Sequence, residues 1–69
     1  MSTIKSSAEN LTLNADGANN DVIIQSNGST KVTVDGQNSR VGIGTTSPTQ
    51  PLHVAGNIYT TGYLNTAGS

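Results

Sequence analysis

The sequence predicts an all-β fold of short strands and tight turns. Apolar residues recur as pairs separated by one residue, and residues that favour turns lie between the pairs. No segment carries apolar residues at helical spacing, and the abundance of Gly, Asn, Ser and Thr further disfavours helices. The strands are predicted at the apolar pairs Leu11/Leu13, Val22/Ile24, Val32/Val34, Val41/Ile43 and Leu52/Val54.

The same pattern divides the chain into three parts. Residues 1–10 are mostly polar, with Ile4 as the only strong apolar anchor, and are predicted to form a leader or an edge strand. Residues 11–57 contain the five apolar pairs and are predicted to form a β-repeat module. Residues 58–69 are predicted to form a terminal strand and a tail, with the strand over residues 57–64 broken at Gly62. Residues 65–69 are expected to be either a frayed end or a cut point, and in the second case the tail is a stem that leads into a further C-terminal part.

The turn after the second apolar pair is fixed by the condition that the pairs share one face of the sheet. A two-residue loop at Asn27-Gly28 would place the pairs on either side of it on opposite faces. We therefore predict a three-residue loop, residues 27–29, with Gly28 available for a positive φ. The predicted cross-strand partners are Val22 with Val34 and Ile24 with Val32.

The next connection is predicted to be a loop at residues 36–39. It places Asp35 opposite Arg40, and an exposed cross-strand ion pair of this kind contributes about 0.2–1 kcal/mol. The longer connections, residues 14–21 and 44–51, are either hairpin loops or crossings to a neighbouring chain. The partners predicted across the 36–39 loop are Val34 with Val41 and Val32 with Ile43.

Length and composition predict that the chain associates with copies of itself. Sixty-nine residues form one small domain with a thin core, and the chain has no Phe, no Trp and no Cys. Domains of this size are usually stabilised by disulfides, metals or self-association, and the absence of Cys excludes the first. Strands with a single apolar stripe cannot close a core alone, whereas three copies facing one axis can.

Charge argues against two classes of partner. The chain has three basic and four acidic residues and a net charge of -1, without a basic cluster. Nucleic-acid binding and binding to anionic membranes both require a basic surface, so neither is expected. No apolar run reaches the ~18 residues of a membrane-spanning helix, and residues 1–5 do not resemble a signal peptide. We expect synthesis in the cytoplasm.

The polar residues do not predict catalysis. Gly42 and Gly44 begin a dinucleotide fingerprint that Ser47 breaks, and they better predict close approach of another backbone to the strand. His53 lies between Leu52 and Val54, so we expect its side chain to face solvent on the opposite side of the strand. Without a nucleophile–base or metal constellation, the sequence predicts no enzyme, no catalytic residue, no metal and no cofactor.

One stretch carries a resemblance to a known family. Residues 40–48, RVGIGTTSP, and residues 51–57, PLHVAGN, resemble a segment common in bacteriophage tail fibres and related virion appendages. Residues 9–35 resemble repeats of phage fibre proteins. The resemblance implies a homotrimeric β-prism or β-helical, fibre-like assembly in which three chains contribute short strands around one axis.

Fourteen residues are therefore expected to have structural and interface roles, and Asp35 and Arg40 are expected to form the cross-strand ion pair. Most of the fourteen are the apolar pairs, and the others are the glycines and prolines of the RVGIGTTSP stretch and the residues after it. They are Leu11, Leu13, Val22, Ile24, Val32, Val34, Val41, Gly42, Ile43, Gly44, Pro48, Pro51, Leu52 and Val54.

Three functions remain open on the sequence. The first is a virion structural protein, a segment of a homotrimeric tail fibre that supports host attachment. The second is a trimeric decoration or spike protein on the capsid, and the third is a small carbohydrate-binding module that uses Tyr59 and Tyr63. The expected partners are copies of the chain, other virion proteins and, through a distal part, host surface glycans. The expected location is the virion.

Overall fold

Four strands form one mixed sheet in the computed structural model, which describes residues 2–67. The strands are β1 (Val22–Ser26), β2 (Ser29–Asp35), β3 (Arg40–Ile43) and β4 (Leu52–Val54), and they lie side by side in chain order. β1 and β2 are antiparallel, as are β2 and β3, whereas β3 and β4 are parallel. No helix occurs between residues 2 and 67, which confirms the all-β prediction.

The predicted register between β1 and β2 is confirmed, but the predicted loop is wrong. Val22 lies opposite Val34 and Ile24 opposite Val32, as expected. The strands nevertheless continue to Ser26 and Ser29, leaving the two-residue turn Asn27-Gly28.

A β-bulge reconciles the short turn with the shared apolar face. The register shifts between Ile24 and Gln25, whose partners are Val32 and Thr30, so Lys31 is an extra residue on β2. A bulge of this kind changes which face the following residues occupy. Asn27 and Gly28 both have positive φ, 53° and 75°, as a type I′ turn requires. A type I′ turn matches the right-handed twist of the flanking strands, whereas a type I or II turn would splay them.

The hairpin between β2 and β3 has the predicted register and loop. Val34 lies opposite Val41 and Val32 opposite Ile43, and residues 36–39 connect the strands. Asp21 joins this end of the sheet to the preceding segment, because its Oδ1 accepts a hydrogen bond from Gly36 N at 3.0 Å.

The connection from β3 to β4, residues 44–51, is neither a hairpin loop nor a crossing to another chain. It returns within the chain and places β4 parallel to β3. Parallel strands usually require a crossover of a dozen or more residues. Here the crossover has only the residues 44–51, because it lies directly against the sheet.

Two predicted strands are absent. Residues 11–13 and residues 57–64 adopt irregular backbone and form no strand. Residues 2–10 also form no strand, so the edge-strand alternative for the leader is wrong over those residues. Residues 11–13 and 57–64 have the strand pattern but no backbone partner in the sheet. An extended segment without such a partner is not stable as a strand. Met1, Gly68 and Ser69, which belong to the predicted leader and tail, lie outside the described residues.

Candidate functional site

One face of the sheet is formed by eight apolar side chains, two from each strand. The cross-strand partners align them in two rows, because each strand contributes its apolar pair to the same side. We call this surface the apolar face. One row is Val22, Val34, Val41 and Leu52, and the other is Ile24, Val32, Ile43 and Val54.

The apolar face is not covered by the described part of the chain. Leu52 is 60% exposed, Ile24 48% and Ile43 44%, and the other members are exposed or half-buried. Within residues 2–67 no Val, Ile, Leu or Tyr side chain is buried. Monomeric soluble proteins rarely expose large contiguous apolar patches, and such large patches mark interaction sites. The apolar face is therefore the candidate functional site.

The opposite face is covered at its centre by the crossover of residues 44–51. The central row on this face is Ile23, Thr33, Gly42 and His53. Thr33 and Gly42 are buried, as is Pro48 of the crossover. The hydroxyl of Thr33 has no hydrogen-bond partner among the described residues. The chain thus covers its polar face and leaves the apolar face open.

Gly42 allows the crossover to approach the sheet. A Cβ atom at this position would lie 2.7 Å from the carbonyl oxygen of Thr45, closer than real side chains come to a backbone atom, and 3.4 Å from the Pro48 Cβ. The predicted close approach of a backbone at Gly42 is confirmed, and the approaching backbone belongs to the same chain. Gly44 lies after the end of β3 and packs loosely against Ala55.

Two side chains hold the crossover in place. Arg40 Nη1 donates a hydrogen bond to the Pro48 carbonyl at 3.2 Å, and the Nδ1 atom of His53 accepts one from Thr49 N at 3.1 Å. His53 is half-buried, so the expectation that it faces solvent is wrong, although it does lie on the side opposite the apolar pair. The alternation of residues correctly predicted on which side of β4 the His53 side chain lies. It could not predict that the crossover folds back over that side and partly buries it.

Asp35 lies directly opposite Arg40 in the register, as predicted, and its carboxylate organises the loop after β2. Its Oδ2 accepts a hydrogen bond from the Asn38 side-chain amide at 3.0 Å, and its Oδ1 accepts one from Gln37 N at 3.1 Å. The bond from the Asn38 side chain is the main reason that the pKa of Asp35 lies below its ordinary value. Desolvation opposes this, and Arg40 makes the smallest contribution to lowering the pKa. The charge of Arg40 is therefore secondary to the loop in the electrostatics of Asp35, and the cross-strand ion pair itself stays a prediction.

The remaining predicted interface residues have separate places. Leu11 and Leu13 lie outside the sheet, where they are 53% and 60% exposed. Pro51 is exposed, and its carbonyl accepts a hydrogen bond from Val41 N at 2.9 Å, next to the start of β4. The structure therefore brings together eight of the predicted residues on the apolar face, and Gly42 and Pro48 meet on the other side.

Tyr59 and Tyr63 are almost fully exposed, at 89% and 94%. Over residues 2–67, no group of three or more His, Cys, Asp or Glu side chains could hold a metal ion. The same residues include no helix long and apolar enough to cross a membrane.

Comparisons with known proteins give no relative: no family model matches the chain, and neither a curated protein nor a solved structure matches it.

Proposed function

We propose that the chain is a structural segment of a homotrimeric virion fibre, in a bacteriophage tail, that supports host attachment. The observation that carries the proposal is the open apolar face. Eight apolar side chains in two rows lose contact with water only if another surface covers them, and removing apolar area from water contributes about 25 cal/mol per Å².

A second copy of the same face is a suitable cover. Every position in the two rows is Val, Leu or Ile, so the face offers no charge or buried hydrogen-bonding group that another copy would have to match. Three copies arranged around an axis turn all three apolar faces inward and form one shared core. The arrangement leaves the crossovers and the polar faces outside, in water.

The virion location rests on the resemblance of residues 40–57 to phage fibre segments. The fold is compatible with a fibre, because the apolar face of a single copy is open and would be covered only by other copies. A chain that only spaces other parts of a virion requires neither a catalytic site nor a cofactor.

Sedimentation of the purified chain tests the assembly. We expect a species of three times the chain mass of 7.0 kDa. Ile43→Asp places a charge in the middle of the apolar face and should dissociate the species, whereas the control Gln50→Asp, on the exposed crossover, should not. A folded monomer at high concentration would contradict the proposal.

Imaging of virions with an antibody against the chain tests the location. Label on the tail supports the tail-fibre function. Label on the capsid would instead support the decoration or spike function, and unlabelled particles would contradict a virion role.

A further inference from the structure

An open cleft of about 380 Å³ separates the N-terminal segment from the edge of the sheet. Residues 12–15 line one side, and Val22, Ile23 and Ile24 of β1 line the other. β1 is an edge strand, so every second residue directs its backbone N–H and C=O groups away from β2 without a partner in the sheet. The cleft therefore combines apolar side chains with free backbone hydrogen-bonding groups, which is the chemistry that an extended peptide recognises.

Two segments of the chain have a strand pattern but no strand partner. The first is residues 11–13, of which Thr12 and Leu13 form part of one wall of the cleft, and the second is residues 57–64, which lie beyond β4. The large side chains of residues 57–64 are all more than half exposed. A strand placed in the cleft would give partners to β1 and to residues 11–13 at the same time.

We propose that the cleft receives residues 57–64 of a second copy of the chain as an added strand. The inference rests on the self-association proposed above and specifies which segments exchange. It predicts that the copies are joined by strand pairing between their backbones in addition to apolar contact between their faces.

Topology favours a second copy over the same chain as the donor. Residues 57–64 follow β4, which is the opposite edge of the sheet from β1. Three strand spacings of about 4.8 Å place these edges roughly 14 Å apart. When copies surround an axis with their apolar faces inward, the β4 edge of one copy lies beside the β1 edge of the next. The segment that leaves β4 then begins next to the neighbour's cleft.

The chemistry of the donor matches the cleft. Residues 54–67 contain no charged residue, and neither do residues 10–15 or β1. Alternation along the donor puts Ile58 and Leu64 on one face and Tyr59 and Tyr63 on the other. The aliphatic pair then extends the apolar face beside Val22 and Ile24, and the tyrosines lie on the side of Ile23. Eight extended residues span about 26 Å, enough to cover all of β1.

Disulfide cross-linking tests the pairing, because the chain has no cysteine of its own. A tagged Ile23→Cys chain is unfolded and refolded together with an untagged chain that carries Tyr59→Cys, Thr61→Cys or Tyr63→Cys. All of these positions lie on the same face in the proposed pairing. We expect a covalent product of tagged and untagged chains from at least one of the three mixtures. Thr60→Cys, on the opposite face, is the matched control and should give about tenfold less product.

The outcomes separate this inference from the proposed function. Trimers without the mixed product, or with equal product from Thr60→Cys, would overturn the strand exchange and leave the self-association intact. Monomers in sedimentation of the same samples would overturn both.

Hydrogen exchange on the unsubstituted chain gives a second test that does not depend on folding of the cysteine variants. In the assembled protein, amides within residues 11–13 and 57–64 should exchange about a hundredfold more slowly than in an unstructured chain. Rapid exchange throughout both segments would overturn the inference.

Discussion

Gly42 illustrates how a single residue determines the arrangement of this sheet. It is buried in β3 and has an ordinary strand conformation, so its importance lies in the space that it leaves. The crossover can lie on the sheet only because no side chain stands there. Both the short crossover and the parallel pairing of β4 depend on the lack of a side chain at Gly42.

We predict that Gly42→Ala destabilises the fold by about 1–3 kcal/mol, because the added methyl group would displace the Thr45 carbonyl and the crossover with it. The unfolding free energy from denaturant titration measures the effect. Gln50→Ala, at an exposed position of the same crossover, is the control. Equal stability of the two variants would show that the crossover does not require a glycine.

Asp35 is expected to make the stability of the fold depend on pH in the acid range. Its pKa is below the ordinary value of 3.8, first because of the hydrogen bond from the Asn38 side chain. A carboxyl group whose pKa is lowered by folding contributes stability above its unfolded pKa, and this contribution is lost as the pH falls through the folded pKa. We therefore predict that stability falls as the pH drops below about 4.

The comparison with Asp35→Asn isolates this contribution. The amide cannot ionise, so the variant should lose less stability than the original chain over the same acid range. Unfolding free energies measured from neutral pH to about pH 2 provide the test. Parallel losses in the two proteins would assign the acid sensitivity to other groups.

At the level of the elements, alternation of apolar residues correctly predicted the registers of the two antiparallel strand pairs, but it did not predict the turn between β1 and β2. The condition that Ile24 and Val32 share a face correctly gave their register. The loop was wrong because a longer loop and a bulge satisfy that condition equally well. The chain adopts the bulge together with a type I′ turn at Asn27-Gly28, a dipeptide that strongly favours this turn.

The sequence predicted the candidate site better than it predicted the chain path. The eight residues of the apolar face follow from alternation alone. The parallel pairing of β4 does not follow from alternation. It depends on contacts of the crossover with Gly42, Arg40 and His53, and a pattern of apolar and polar residues does not encode such contacts. Leu11 and Leu13 show the limit of a local pattern, since a strand also requires an adjacent backbone partner.

The bulge at Lys31 gives a prediction for this hairpin. Deleting Lys31 leaves Thr30 next to Val32, so Gln25 can still pair with Thr30 and Ile24 with Val32 in a regular ladder. We predict that the deletion keeps the register and changes the unfolding free energy by no more than about 1 kcal/mol. Cross-strand NMR contacts between Ile24 and Val32 would report the register.

Deletion of Thr33 is the matched control for the Lys31 deletion. It removes a residue from the regular part of β2 and turns one of the flanking valines to the wrong face, so the fold should be lost. If the Lys31 deletion is equally disruptive, the bulge has a role beyond restoring the apolar face.

For the whole molecule, how stability arises follows from the lack of any buried Val, Ile, Leu or Tyr side chain in residues 2–67. Hydrophobic burial is the main favourable contribution to folding, and one copy of this sheet obtains little of it. Most of the available contribution lies on the apolar face and becomes favourable only when copies meet. Folding and association should therefore be one process.

Coupled folding and association predicts a melting temperature that rises with protein concentration. Each tenfold increase in concentration favours the assembly by about 1.4 kcal/mol for each partner bound, and unfolded chains gain nothing from it. Thermal melts followed by circular dichroism over about three decades of concentration measure the shift. Ile43→Asp should lower the melting temperature at every concentration, since it opposes the contact that stabilises the fold. A melting temperature independent of concentration would mean that one copy is stable with its apolar face in water, and would contradict the coupling.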